Sequence, residues 1–225
     1  MRRTRLGLMA ILLLCALWAC RQEAEGQKEV KKETASTLTI VAVGDSLTAG
    51  LGVVESEGYP TQLEGQLQAE GRDIRVINAG VSGETTSGTL ARLDWVLTLK
   101  PDIVILETGA NDGLRGLDPG LVRQNLRQII ERLQEKNIAI VFTGMRMVWN
   151  LGPAYTTDFN RIYPEIAEEK GLIFMPFFLD GVATKPTLNI EDGIHPNPQG
   201  YTIIVKNLLP FVKQAVVEIE RRDGK

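Results

Sequence analysis

Leu38-Thr39-Ile40-Val41-Ala42-Val43 runs straight into Gly44-Asp45-Ser46-Leu47-Thr48-Ala49-Gly50, and the fold is decided at that junction. An unbroken apolar run rich in β-branched residues suits a strand covered on both faces, and the polar, glycine-flanked turn behind it suits the carboxyl end of that strand. Four more runs repeat the pattern: Ile74 to Ile77, Ile103 to Leu106, Ile138 to Phe142 and Leu172 to Met175. Helical periodicity fills the gaps between them. Val122, Leu126, Ile129, Ile130 and Leu133 lay one apolar stripe along a helix that Asp118 caps, Pro119 opens and Asn137 stops. Leu90, Leu93, Val96 and Leu97 predict a helix ended by Pro101, and Ile203, Ile204, Leu208, Phe211, Val212 and Val216 predict the last one. Tyr59 to Glu70 and Phe159 to Lys170 complete the alternation. Strands alternating with crossover helices predict an α/β, three-layer, doubly wound fold on a five-stranded, mainly parallel sheet.

The composition agrees with one such domain. Of 225 residues 44% are hydrophobic and 24% charged, enough to bury a full core. Lys and Arg number 25 against 28 Asp and Glu, for a net charge of −3, so nucleic acid is not an expected partner. The only cysteines, Cys15 and Cys20, lie in the N-terminal apolar run, which excludes a disulfide framework or a Cys-ligated zinc site in the folded body. His195 is the sole histidine, so any imidazole-dependent proton transfer passes through it and a site with two His ligands is impossible.

Arg2, Arg3 and Arg5 precede an apolar stretch from Leu6 to Ala19, the length of a signal h-region and short of the about 20 residues that span a bilayer. Leu17-Trp18-Ala19-Cys20 resembles the bacterial lipobox, which implies cleavage before Cys20 and acylation of that cysteine. An ordinary signal peptide cut near Ala19 or later is the alternative. The expected organisation is a lipoprotein-type signal peptide over residues 1–19, a lipidated Cys20 with a flexible tether to residue 36, and a single domain over residues 37–225. The implied location is the periplasmic or exterior side of a bacterial membrane, reached by a lipid anchor. Arg21 offers no inner-membrane retention signal, which points to the outer membrane.

In open α/β sheets ligands bind beyond the carboxyl ends of the strands. Four segments there are distinctive: Gly44-Asp45-Ser46-Leu47, Asn78-Ala79-Gly80-Val81-Ser82-Gly83-Glu84-Thr85, Gly109-Ala110-Asn111-Asp112, and Asp192-Gly193-Ile194-His195-Pro196-Asn197. A serine hydroxyl attacks only when a base takes its proton, and His195 is the one imidazole available to Ser46. Asp192, three residues earlier, is spaced to orient that ring and stabilise the imidazolium. Taken singly, Ser46 is as readily a helix cap, His195 a surface histidine and Asp192 a turn residue. Asp45 and Asp112 are expected to organise their loops by hydrogen bonding.

In this order the four segments resemble the sequence blocks of the SGNH-hydrolase (GDSL esterase/lipase) superfamily, most nearly its bacterial thioesterase, arylesterase and lysophospholipase-like branch. The resemblance implies a flavodoxin-like SGNH-hydrolase fold and a serine esterase with Ser46, Asp192 and His195 as catalytic residues. It assigns the oxyanion hole to the Ser46 and Gly83 backbone N–H groups and the Asn111 amide, with Gly80 the alternative glycine. It implies turnover of carboxylic esters with aryl or short-to-medium acyl groups, extending to thioesters or lysophospholipids, with no cofactor and no metal. The chain lacks the Gly-x-Ser-x-Gly elbow of α/β-hydrolases, and Gly44, Gly50 and Gly52 fit neither a dinucleotide fingerprint nor a P-loop.

Met147, Trp149 and Tyr155, in the apolar segment after the fourth strand, are the expected substrate-lining residues, with packing of that loop as their alternative role. Phe177, Phe178 and Leu179 carry the same ambiguity. Carbohydrate acetylester hydrolysis and a non-catalytic ligand-binding lipoprotein are the competing functions, and peptide hydrolysis stands below both.

Overall fold

The computed structural model describes residues 37–147, 151–222 and 224. The signal segment, Cys20, the tether and Trp149 therefore lie outside the described residues. Five strands form the sheet: β1 (Leu38–Gly44), β2 (Ile74–Gly80), β3 (Ile103–Leu106), β4 (Ala139–Thr143) and β5 (Ile173–Met175). Every pair is parallel and the order is β2-β1-β3-β4-β5. The four residues of β3 and the residues from Ile40 to Gly44 in β1 are all buried, which is why these strands read as continuous apolar runs rather than alternating ones. Strand order reverses between β1 and β3, so a crevice opens at their carboxyl ends, where the first and third distinctive segments begin.

The helices are α1 (Ser46–Ala49), α2 (Tyr59–Ala69), α3 (Thr86–Ala91), α4 (Leu93–Thr98), α5 (Ala110–Leu114), α6 (Pro119–Gln134), α7 (Pro153–Lys170) and α8 (Pro198–Arg222). Helices α2 and α8 pack together on one side of the sheet, and α3, α6 and α7 cover the other. The predicted stripe of α6 is fully buried, Asp118 caps it by accepting from the Gly120 N–H at 2.9 Å, and Asn137 ends the following turn at φ +57°.

Four elements depart from expectation. The single helix expected through Leu90 and Leu97 is two short ones, because Arg92 leaves helical geometry between them. Its guanidinium bonds the Glu84 carboxylate at 2.7 Å and the Ala79 carbonyl at 2.7 Å. Helix α7 starts six residues before Phe159, opened by Pro153 and continuing through Pro164. The outer residues Ile138 and Leu172 fall outside β4 and β5.

Candidate active site

Ser46 opens α1, but Asp45, not Ser46, caps that helix: its Oδ1 accepts from the Leu47 N–H at 3.0 Å. The serine hydroxyl is thereby left for other work. Close packing fixes the turn. A Cβ on Gly44 would stand 2.1 Å from Thr48 Oγ1, and one on Gly80 would stand 2.2 Å from the Ala49 nitrogen, so only glycine lets α1 seat against the ends of β1 and β2. Below the turn, Glu107 is completely buried; its Oε2 accepts from Thr48 Oγ1 at 2.8 Å and from the Asp45 N–H at 3.3 Å. Tyr201 from α8 donates to the Leu47 carbonyl at 3.0 Å.

Across the crevice, Ser46 Oγ lies 2.7 Å from His195 Nε2, and His195 Nδ1 lies 2.6 Å from Asp192 Oδ2. The other Asp192 oxygen accepts the N–H groups of Ile194 and His195, both at 3.0 Å. Burial works against the Asp192 charge, but those two backbone donors and the imidazole outweigh it and hold the carboxyl below its ordinary range. An ionised carboxylate only accepts, so His195 Nδ1 carries the proton in this pairing and Nε2 offers its lone pair to the serine. Residues 149 apart in sequence thus meet in a relay that can deprotonate Ser46 as it attacks a carbonyl.

Gly83 and Asn111, two of the three expected oxyanion groups, line the same cavity as Ser46, the third. Asn111 Nδ2 donates one hydrogen to Asp45 Oδ2 at 3.1 Å, and its amide carries a second. Gly83 turns at φ +80°, its carbonyl accepts from Arg115 at 2.8 Å, and a Cβ there would meet only that guanidinium, at 3.6 Å. The alternative glycine, Gly80, is sealed against α1. Ser46, Gly83, Asn111 and His195 line one cavity of about 540 Å³, whose walls include Leu51, Leu114, Met145, Met147, Phe177 and Leu179. Met147 is therefore placed as expected. Tyr155 is not: its hydroxyl donates to the Leu117 carbonyl at 2.8 Å and its ring stacks on Phe159, because α7 begins before it and turns it toward the body. Phe178 packs into the core against Tyr59, while its neighbours Phe177 and Leu179 reach the cavity.

Asp112 receives the Thr86 N–H at 2.8 Å and its hydroxyl at 2.7 Å, tying the Asn111 loop to the start of α3, as a loop-organising role requires. Glu107, Arg115 and the Arg92–Glu84 pair were not foreseen. Only Glu107 carried a local signal, a carboxylate closing the apolar run of β3.

Residues 42–203 match the GDSL-like Lipase/Acylhydrolase family. The chain belongs to that family. Esterase TesA of Pseudomonas aeruginosa is 37% identical over 182 residues, covering 80% of this chain and 90% of that protein. Thioesterase 1/protease 1/lysophospholipase L1 of Escherichia coli K12 is 37% identical over 179 residues, covering 77% and 85%. A crystal structure of TesA superposes with a TM-score of 0.75 at 37% identity, over 79% of this chain and 99% of that one. As a GDSL/SGNH acylhydrolase the chain is an ester hydrolase, and the five-stranded parallel sheet is that of its family.

Proposed function

We propose that this hydrolase cleaves carboxylic esters whose acyl or aryl group is apolar, through an acyl-enzyme on Ser46. The observation that carries the reading is the unbroken chain of short contacts from Ser46 Oγ through His195 to Asp192 at the floor of an apolar cavity. Ser46 attacks the carbonyl carbon as its proton passes to His195 Nε2, and Asp192 stabilises the imidazolium that forms. The oxyanion accepts from the Ser46 and Gly83 N–H groups and from Asn111 Nδ2. Collapse breaks the ester bond, and the imidazolium gives its proton to the leaving oxygen, or to sulfur in a thioester. Water, deprotonated by the same ring, then releases the acid and restores Ser46.

The cavity walls set the preference. Aliphatic, thioether and phenyl groups there favour a medium acyl chain over acetyl and disfavour a carbohydrate acetyl ester. A p-nitrophenyl series from acetate to octanoate tests this: kcat/KM should rise with chain length through at least butyrate. A steady fall from acetate, with acetylated oligosaccharides preferred, would replace this reading with the acetylesterase one. Lipidation at Cys20 is proposed alongside, from the lipobox-like Leu17-Trp18-Ala19-Cys20; labelled palmitate should enter the chain and not its Cys20→Ala variant.

A further inference from the structure

Among the described residues, eight large apolar side chains are well exposed, and six of them, Leu51, Val54, Val81, Leu114, Leu151 and Ile194, belong to the loops and the short helix α5 that follow strands at the site end of the sheet. Their exposures run from 40% to 62%, and Val54 is the most open. Loop contacts arrange them around the cavity mouth. Leu51, Leu114 and Ile194 line the cavity itself. Gly52 sits against Ile190, Gly116 lies near Leu151, and Val81 leads into Gly83, which Arg115 holds. The remaining two lie elsewhere: Trp95 sits on α4, which leads into the start of β3 at the opposite end of the sheet, and Leu121 is in the first turn of α6.

We propose that this collar is a docking face for a phospholipid surface with zwitterionic headgroups, from which an amphiphilic ester passes directly into the cavity. Two arguments select that occupant. A protein or a second copy seated on a ring that encircles the mouth would close the entry, whereas a lipid layer covers the same ring and supplies substrate through it. The ring's charges also match both halves of a zwitterionic headgroup. Arg115 and Arg146 are exposed on the side formed by the β3 and β4 loops, and Glu55 and Glu191 are exposed on the side formed by the loops that carry Val54 and Ile190. The proposal rests on the cavity's being the ester site, and it adds a mode of substrate delivery that the chemistry at Ser46 does not require.

Residues 37–225 suffice for the test, because they form a compact unit with its own core and the TesA crystal chain is matched over 99% of its length by this body. Removing the first 36 residues also removes any anchor at Cys20. Cosedimentation with phosphatidylcholine vesicles should show binding, weakened about tenfold by Val54→Asp or by Val81→Asp, with Val54→Ser intermediate and Trp95→Asp unchanged. Neither Val54 nor Val81 lines the cavity, so both Asp variants should hydrolyse soluble p-nitrophenyl butyrate at the unaltered rate, which also certifies their folding. Absence of binding, equal loss in Trp95→Asp, full binding by the collar variants, or binding only when phosphatidylglycerol is added would each overturn the proposal. Binding is read without turnover: vesicle association that follows this pattern in a body unable to hydrolyse esters would sink the esterase reading and leave the docking face standing.

Discussion

The two halves of the relay are held by opposite means. Ser46, 8% exposed, rides on a turn clamped by Glu107, Thr48 and Tyr201 and by two glycines that admit no Cβ. His195 and Asp192 sit in a surface turn whose organisation is nearly all local: Asp192 gathers the Ile194 and His195 N–H groups, and backbone pairs from the Ile190 N–H to the His195 carbonyl at 2.8 Å and from the Gly193 N–H to the Ile190 carbonyl at 3.0 Å add support. The nucleophile is therefore positioned by the core and its base by one carboxylate. Damage to the first half should register chiefly in stability, and damage to the second chiefly in turnover.

Removing a reacting group outright gives the largest effect. Ser46→Ala and His195→Ala should each lower kcat by about 10⁴ or more, because nucleophile and base act as a unit, and the double variant should be little worse than either. Additive losses measured by steady-state kinetics would break the pairing. Asn111→Ala comes next, with kcat down about 10²–10³ and KM little changed if its free amide hydrogen serves only the transition state. Asp192→Asn should cost near the lower end of the roughly 10²–10⁴ range for acid–base groups, since its side chain is 40% exposed and water can partly replace it. A loss from Asp192→Asn larger than that from Asn111→Ala would mean that the surface turn depends on Asp192 far more than its exposure implies.

The same contrast separates what was legible in the sequence from what was not. Asp192 and His195 are three residues apart, a spacing that suits a carboxylate orienting an imidazole, but the resemblance to the SGNH blocks was needed to choose that role over a plain surface turn. Apolar runs and parallel topology marked the strand ends that carry Ser46, Gly83 and Asn111, but the oxyanion role of Gly83 and Asn111 was only what the family resemblance implied. Most of the clamp was invisible; only Glu107 carried a local signal. Arg115 meets Gly83 and Tyr201 meets Leu47 through contacts that no local pattern encodes. Arg92 is read from sequence as one more turn of helix, yet its guanidinium serves the end of β2 and breaks the helix in two. Tyr155 was misplaced for a related reason: the helix was expected only from Phe159, whereas Pro153 opens α7 at the position where a missing N–H costs nothing.

The clamp itself can be loosened with less effect on chemistry. Tyr201→Phe removes the donor to the Leu47 carbonyl in a buried place and should destabilise the fold by about 1–3 kcal/mol. That corresponds to a melting temperature lower by roughly 2–4 °C per kcal/mol in a domain of this size. Its kcat should fall less than tenfold, and a larger fall without loss of stability would show that Tyr201 tunes the nucleophile directly.

The smallest expected effect concerns Glu107, and it appears only as a pH dependence. Burial, then the neighbouring Asp45 charge, pushes the Glu107 carboxyl well above its ordinary range, and burial raises Asp45 to about 6. Glu107 Oε1 has no hydrogen-bond partner, as befits an acid that keeps its proton. Folded protein then holds protons that the unfolded chain has released, so these two groups make stability fall as pH rises, from about 4 to 6 for Asp45 and from the mid-4s upward for Glu107. Asp192 works in the opposite sense, contributing stability above the ordinary Asp pKa that is lost on acidification. Glu107→Gln preserves an acceptor for Thr48 and a neutral group at the Oε1 position while abolishing its titration. Thermal unfolding followed from pH 5 to pH 8 should show a flatter decline in this variant than in the natural chain, with ester hydrolysis at neutral pH nearly unaltered. Parallel declines would mean that Glu107 contributes no pH-dependent stability in this interval, and the clamp beneath Ser46 would then contain no acid that holds its proton through folding.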